Sequence, residues 1–319
     1  MKNITPKKLA VLYTAVFILL ILYILSFTVF SSSASQKRIR QQIQLLHEAD
    51  ISSIDQIAIQ NNSSYILLTR KNNMWLASAN FEYENFLPAD TEVLQKFFVS
   101  LISQHNMIKA GKKEIENMTG INQQNAVTIS LVKNGELYQN LYFGELNFSQ
   151  SERYFTTDEL NSIFLIDTSF DSYLTTSSQY WCDPYLISEQ LKNSVFQMGD
   201  IQSLTLTYNE EDKPRNIKRT PSWENWNAAS QKLLELRHGG FAPLEEISVI
   251  DEHSLLPVMS LKFEMGDKSV INQNFYLSQN VENEYLVKTR FSSPRSSEDF
   301  TCYSKISLWT YNKIKEMIL

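Results

Sequence analysis

The first apolar block of the chain runs from Leu9 to Phe30 and holds 22 residues without a charged side chain. As a helix it would be about 33 Å long, and the hydrocarbon core of a bilayer is about 30 Å thick. The pattern therefore predicts a single transmembrane helix at residues 9–30. The positions expected to anchor it in the membrane are Leu9, Phe17, Leu20, Tyr23 and Phe30.

Basic residues flank this block on both sides. They are Lys2, Lys7 and Lys8 before it, and Lys37, Arg38 and Arg40 after it. A short tail with three lysines resists translocation, whereas a long domain crosses a membrane largely regardless of its charge. We expect a cytoplasmic tail at residues 1–8 and the main domain outside the cytoplasm, at a cytoplasmic membrane. Ser33, Ala34 and Ser35 leave cleavage after the helix open.

The segment that follows has apolar residues at helical spacing. Ile39, Ile43 and Leu46 would share one face of a helix, so residues 31–50 are expected to form a stalk helix next to the membrane.

Beyond residue 50 the pattern alternates between apolar and polar positions, which is typical of strands. A helix capped by Asp90 or Thr91 is expected between two groups of strands, with Phe97 on its buried face. Asn134 and Gly135 predict the turn of a hairpin. We assign residues 51–175 to a first unit of this kind.

A similar order of patterns recurs near the end of the chain. Residues 53–59 are echoed by residues 200–206, and Arg70 with Trp75 by Arg219 with Trp223. The four side chains are taken as repeat-equivalent positions. The expected fold class is α+β, with a transmembrane helix before two tandem, duplicated units of antiparallel sheet plus helix. The second unit covers residues 198–319, and residues 176–197 connect the two.

Composition narrows the classes of function. With 43% hydrophobic residues the chain can fill a core, and its net charge of −6, from acidic residues spread along the chain, disfavours a nucleic-acid surface. Only 8 glycines occur, and no GxxxxGK[ST] or GxGxxG string is present. Nucleotide binding is therefore not expected.

No group of residues predicts catalysis, a cofactor or a metal. The four histidines, His47, His105, His238 and His253, are scattered without a helix-spaced pair or a nucleophile motif. Paired carboxylates stay open as an acid–base site because sequence does not give their separation in space. The five tryptophans are expected to pack in the core. Cys182 and Cys302 are expected to be unpaired, mostly buried thiols, while a disulfide between them stays open because a location outside the cytoplasm permits one.

Several stretches resemble a bacterial family of single-pass membrane proteins, domain of unknown function 4340. They are Ile66 to Arg70 followed by Trp75, Leu87 to Asp90 before a helix, and Trp181-x-Asp183-x-x-Leu186-Ile187 before Asp200-Ile201. The second half departs from the pattern where Pro214 and Pro221 interrupt its first hairpin. The resemblance implies an accessory of a gliding-motility-type ABC transporter, with the lipid bilayer, a permease and an auxiliary subunit as partners. It implies no catalytic residues.

The sequence thus predicts a non-enzymatic, membrane-anchored extracytoplasmic accessory of an ABC-type transporter complex. A regulator that restrains a membrane sensor kinase is the alternative, and an envelope enzyme is a further one.

Overall fold

The computed structural model describes residues 40–71, 74–79, 85–112, 115–122, 126–196, 201–210, 213–252, 255–294 and 299–319. Two antiparallel sheets dominate them. The strands of the first are β1 Arg40–Gln44, β2 Ile54–Gln60, β3 Tyr65–Lys71, β4 Met74–Ser78, β5 Leu87–Pro88, β6 Gln104–Lys112, β7 Val127–Lys133, β8 Glu136–Leu146, β9 Glu152–Thr157 and β10 Ser162–Asp167. The strands of the second are β11 Ile201–Glu210, β12 Lys213–Arg219, β13 Met259–Met265, β14 Val270–Leu277, β15 Glu284–Ser292 and β16 Phe300–Ser307.

Short helices accompany the sheets. They are α1 Thr91–Ile102, α2 Glu116–Thr119, α3 Ser178–Trp181, α4 Glu189–Phe196, α5 Trp226–Leu234, α6 Leu244–Glu252 and α7 Leu308–Ile318, with 3-10 helices at Glu48–Ser53 and Thr168–Tyr173. α1 is the expected amphipathic helix. Its cap is confirmed, since the Asp90 carboxylate accepts hydrogen bonds from the backbone N–H groups of Glu92 and Val93 at 2.9 and 3.1 Å.

The predicted fold class is wrong for this part of the chain. The architecture is mainly antiparallel β, with a ten-stranded and a six-stranded sheet, and the helices are secondary to them. In the ranges given above, no helix has the length and apolar character needed to cross a bilayer, and α1 has only 12 residues. The expected transmembrane helix is thus not part of the observed fold. Its segment, residues 9–30 with the five anchor positions, lies outside the described residues.

The expected stalk helix is also wrong where the structure describes it. Arg40–Gln44 forms an edge strand of the ten-stranded sheet, paired with β6, so this sheet starts before the expected boundary at residue 51. Ile43 and Leu46 fit helical spacing, but Leu45 is buried as well. The backbone N–H groups of Leu45 and Leu46 both donate to the Leu101 carbonyl at 3.0 Å, which ties this segment to the end of α1.

One strand order occurs in both sheets. Neighbours in the first run β3-β2-β7-β8-β9-β10, and those in the second run β12-β11-β13-β14-β15-β16. The register shifts after Ile54 in the β2–β7 pair and after Ile201 in the β11–β13 pair. β1, β6, β4 and β5 are additional to this order in the first sheet. The shared order gives each strand of the six-stranded sheet a counterpart in the ten-stranded sheet, whereas duplication as its origin stays a prediction.

Pro214 does not interrupt the hairpin as expected. It lies in β12 opposite Asn209, and β12 is an edge strand of the six-stranded sheet. An edge strand tolerates the missing N–H of proline because one of its sides has no strand to bond.

The main core of each sheet lies on the face where helices α1 and α3, or α5 and α7, pack. In the first half, Leu94, Phe97 and Leu101 of α1 pack on the sheet in one buried cluster with Phe143 and Trp181. In the second half, Leu233 of α5 and Ile314 of α7 pack on the sheet with Phe275. α6 packs in a smaller cluster with Tyr276 and Leu286. Their chain neighbours Phe275 and Val287 face the main core, so α6 lies on the opposite face of the sheet.

Candidate functional site

A groove runs along α1 in the first half, and we call it groove A. Its walls are α1 and the 3-10 helix that follows β10, and its volume is about 760 Å³. The lining residues are Glu92, Gln95, Lys96, Val99, Ser100, Ser103, Gln104, His105, Asp167, Ser169 and Tyr173. Val99 is 54% exposed in its wall, so the groove offers apolar as well as polar contacts.

A second groove, groove B, occupies the corresponding place in the second half. Its walls are α5 and α7, and its volume is about 780 Å³. The lining residues are Asn225, Ala228, Ala229, Lys232, Glu235, Leu236, Arg237, Trp309, Thr310, Lys313, Glu316 and Met317. α5 precedes β13 as α1 precedes β7, and α7 follows β16 as the 3-10 helix follows β10. Each half therefore carries a groove between equivalent elements.

In both grooves the helix that forms the second wall has a side-chain cap at its N-terminus. Asp167 caps the 3-10 helix by accepting a hydrogen bond from the Ser169 N–H at 3.1 Å, and Ser307 caps α7 by accepting one from the Thr310 N–H at 3.3 Å. Asp167 and Ser307 are also the final residues of β10 and β16, the last strands of the two sheets in chain order. The caps fix the direction in which the second wall of each groove leaves its sheet.

Trp309 distinguishes groove B. Its side chain is 65% exposed, and the Lys313 ammonium lies 3.9 Å from its ring centroid. Most tryptophans bury their large apolar area, so an exposed one beside a groove is a candidate contact residue for a partner. The prediction that all tryptophans lie in the core therefore fails at Trp309, whereas Trp181 is fully buried.

The grouping that comes nearest to a catalytic arrangement lies in groove A. His105 Nδ1 is 3.4 Å from Ser169 Oγ and 3.8 Å from Asp167 Oδ1. His105 Nε2 is 2.7 Å from the carbonyl oxygen of Ser100. Since a carbonyl only accepts, Nε2 carries the proton.

This geometry does not suit a nucleophilic serine. In such a site the serine faces one ring nitrogen and the carboxylate holds the other. Here Ser169 and Asp167 both lie on the Nδ1 side, and the Ser169 hydroxyl donates a hydrogen bond to the Asp167 carboxylate. Burial raises the pKa of Asp167, but the hydrogen bonds from Ser169 and the nearby His105 outweigh it and lower the pKa. The carboxylate therefore stays ionised and acts as a helix cap.

A third, smaller groove on the other flank of α1 contains Arg70 and Trp75. Its volume is about 440 Å³. Arg70 donates a hydrogen bond from Nη1 to the Ser52 carbonyl at 3.1 Å, and the Trp75 ring lies 5.7 Å from that of Phe98. Arg70 is thus a solvent-facing strand residue held by a backbone carbonyl.

Arg219 and Trp223 form a different arrangement. The Arg219 guanidinium lies 4.6 Å from the Trp223 ring and donates to the carbonyls of Ile318 and Leu319 at 3.0 and 2.9 Å. A cation at the C-terminal end of a helix is favoured by the helix dipole. Arg219 pairs with Leu204, and the corresponding pair in the first sheet is Leu68 with Ile57. Arg219 therefore corresponds to Leu68 and lies two residues out of register with Arg70.

The connecting segment carries a buried carboxylate. Asp183 accepts hydrogen bonds from the backbone N–H groups of Tyr185 at 2.9 Å and Glu189 at 2.7 Å, which caps α4. Burial raises the pKa of Asp183 to about 6, against the lowering effect of these bonds. His238 Nε2 donates to the Asp183 carbonyl at 2.7 Å, and burial lowers the pKa of His238. Asp183 of the Trp181-x-Asp183 stretch is thus a buried residue that holds the connecting segment together by hydrogen bonds.

Sequence reasoning missed both grooves and the contact of His105 with Asp167 and Ser169. The Asp-Thr-Ser order at residues 167–169 signals a helix cap, but His105 is too distant in sequence to be placed beside it. In the described ranges no group of three or more His, Cys, Asp or Glu side chains is arranged to hold a metal ion. The residues that converge in these grooves offer surfaces for binding.

No family model matches the chain, and no solved structure matches it. A search of curated proteins matches an uncharacterized protein of Treponema pallidum (strain Nichols), which is 24% identical over 169 residues. The match covers 49% of this chain and 51% of that protein, so the chain spans about half the length of this relative.

Proposed function

We propose that this chain is a non-enzymatic accessory of an ABC-type, gliding-motility-like transporter complex, acting by binding other subunits. The choice of a transporter rests on the sequence resemblance to the family of unknown function. The proposal places the two sheets on the outer side of the cytoplasmic membrane, from the distribution of basic residues around residues 9–30. Its expected partners are a permease and an auxiliary subunit.

The observation that carries a binding role is groove B, with Trp309 at 65% exposure beside it. Groove A, in the equivalent place, supports the same role. The two open grooves have volumes of about 760 and 780 Å³ and each lies between two helical walls, which suits a segment of a protein partner. The Ser169, His105 and Asp167 geometry argues against hydrolysis in groove A.

The test is to capture the full chain by a C-terminal tag after crosslinking in cells that express the transporter, with gentle solubilisation of membranes. We expect an ABC ATPase, permease or auxiliary protein among the crosslinked products. Their absence would contradict the transporter role. A membrane histidine kinase recovered in their place would also contradict it and would favour the sensor regulator.

A further inference from the structure

The hairpin between β8 and β9 presents a phenylalanine entirely to solvent. Phe148 has a relative exposure of 106%. The loop that carries it is held by Asn147, whose Oδ1 accepts hydrogen bonds from Ser149 Oγ at 3.0 Å and from the Ser151 N–H at 3.2 Å. The Asn147 N–H donates to the Glu152 carbonyl at 2.8 Å. Because these bonds fix the loop, a partner would bind Phe148 without first ordering the backbone.

Two further exposed apolar side chains lie on β8 or on the helix packed against it. Leu146 is 37% exposed and Met118 of α2 is 83% exposed. α2 lies close to β8 because Gly144 has no side chain: a Cβ there would be 2.3 Å from the Thr119 carbonyl oxygen. The fold thus sets Met118 near the strand that leads to Phe148. We call Met118, Leu146 and Phe148 the apolar tip.

The charge around the apolar tip is mainly negative. In residues 116–122 and 144–153 the charged side chains are Glu116, Glu145, Glu152 and Arg153. Arg153 is engaged within the fold, since Nε donates to Asp171 at 2.8 Å and Nη1 donates to the Gly144 carbonyl at 2.6 Å. The carboxylates in these two segments therefore outnumber the single cation, and Glu152 lies next to the loop because its Oε2 accepts a hydrogen bond from Asn147 Nδ2 at 3.1 Å.

The corresponding hairpin of the second half has the same design. Leu277 pairs with Tyr285 as Leu146 pairs with Arg153, and both leucines are exposed. The Ser278 N–H donates to the Glu284 carbonyl at 3.0 Å, as in the first hairpin. Val281, which is 46% exposed, stands next to Glu282. Exposed apolar side chains next to a glutamate thus occur at both equivalent hairpins, whereas scattered single exposed apolar residues need no such recurrence.

We propose that the apolar tip is a docking site for a protein partner that offers an apolar pocket bordered by lysine or arginine. The pocket would receive Phe148, while the basic border would face Glu145 and its neighbours. The carboxylates disfavour an anionic lipid surface as the occupant, because like charges repel. This site lies on a different element from grooves A and B and does not depend on which complex binds them.

The test uses the full chain in its own cells, with the photocrosslinker benzoylphenylalanine at position 148. Position 256 is the matched control because Leu256 is 87% exposed outside both hairpins. We expect a discrete protein adduct from position 148 and none from position 256. Peptide mapping of the adduct should place the link in an apolar pocket that has basic residues at its border.

Charge dependence separates this partner from other occupants. Glu145→Lys in the position 148 background should lower the adduct yield at least fivefold, whereas Glu145→Asp should retain it. An unchanged thermal midpoint of both variants shows that the fold is intact. An absent adduct, a lipid adduct, a link to a second copy of the chain, or a yield that ignores Glu145→Lys would overturn the proposal.

Discussion

The side chain of Gln190 bonds both backbone groups of Trp75. Its Oε1 accepts a hydrogen bond from the Trp75 N–H at 2.9 Å, and its Nε2 donates to the Trp75 carbonyl at 2.8 Å and to the Ala89 carbonyl at 2.7 Å. The amide thus bridges the backbone of β4 and that of Ala89, whose N–H also donates to the Trp75 carbonyl at 2.8 Å. It joins α4 of the connecting segment to the first sheet, which explains how a linker between two sheets becomes part of the core.

Replacement of this amide should lower stability. Gln190→Leu keeps similar volume but removes the partner of the Trp75 N–H and of the Ala89 carbonyl, whereas the Trp75 carbonyl keeps its bond from the Ala89 N–H. We expect the free energy of unfolding to fall by roughly 2–4 kcal/mol, measured by urea denaturation. Gln95→Leu, at an exposed position of α1, is the control and should change it by less than about 0.5 kcal/mol. Equal effects of both variants would contradict the role of Gln190.

Local signals in the sequence correctly predicted one helix cap and one hairpin turn. Asp90 caps α1 as expected, and Asn134 and Gly135 have positive φ of 54° and 79°, as a tight hairpin turn requires. Both depend on residues close in sequence. β6, with the sequence QHNMIKAGK, was missed because its polar and apolar residues follow no clean alternation. It is fixed by pairing with β1 and β10, whose partners lie far away in sequence.

The candidate site could be predicted only in part, for the same reason. The helix that forms one wall of each groove follows from its own periodicity. The meeting of α5 with α7 depends on the order of the strands between them, which sequence alone did not give. The exposure of Trp309 was also hidden, since α7 places it on the face opposite the buried Ile314.

The buried Asp183 should make stability depend on pH. Its folded pKa of about 6 lies above the ordinary value of 3.8, so the folded state holds its proton more tightly than the unfolded state. The stabilisation by protonation is fully present below about pH 4 and is lost as pH rises to about 6.

Asp183→Asn removes this titration. An asparagine Oδ1 cannot replace both carboxylate oxygens, so the variant is less stable at every pH. We expect the advantage of the parent over the variant to shrink by about 1–3 kcal/mol between pH 4 and pH 6.5. Chemical denaturation at several pH values measures it, and the His238 titration is present in both proteins. A constant or growing advantage would contradict the raised pKa.

Both cysteines should behave as inert thiols. The structure confirms that Cys182 and Cys302 are unpaired and buried. Burial raises the pKa of Cys302 to about 12, and that of Cys182 is raised further, which keeps both protonated at neutral pH. We expect an aromatic disulfide reagent to titrate two thiols only after denaturation. Rapid reaction of the native protein, or faster migration on a non-reducing gel, would contradict this prediction.

The docking role of groove B is tested most directly by Trp309→Asp in the full chain. The side chain is 65% exposed, so the fold should tolerate the change, and Leu256→Asp at an exposed loop position is the matched control. The measurement is the amount of crosslinked ABC-transporter subunit captured with each tagged chain. We expect at least a tenfold loss with Trp309→Asp and no loss with Leu256→Asp, because an exposed tryptophan at an interface contributes a large share of binding energy. Equal capture by the parent and both variants would contradict the account.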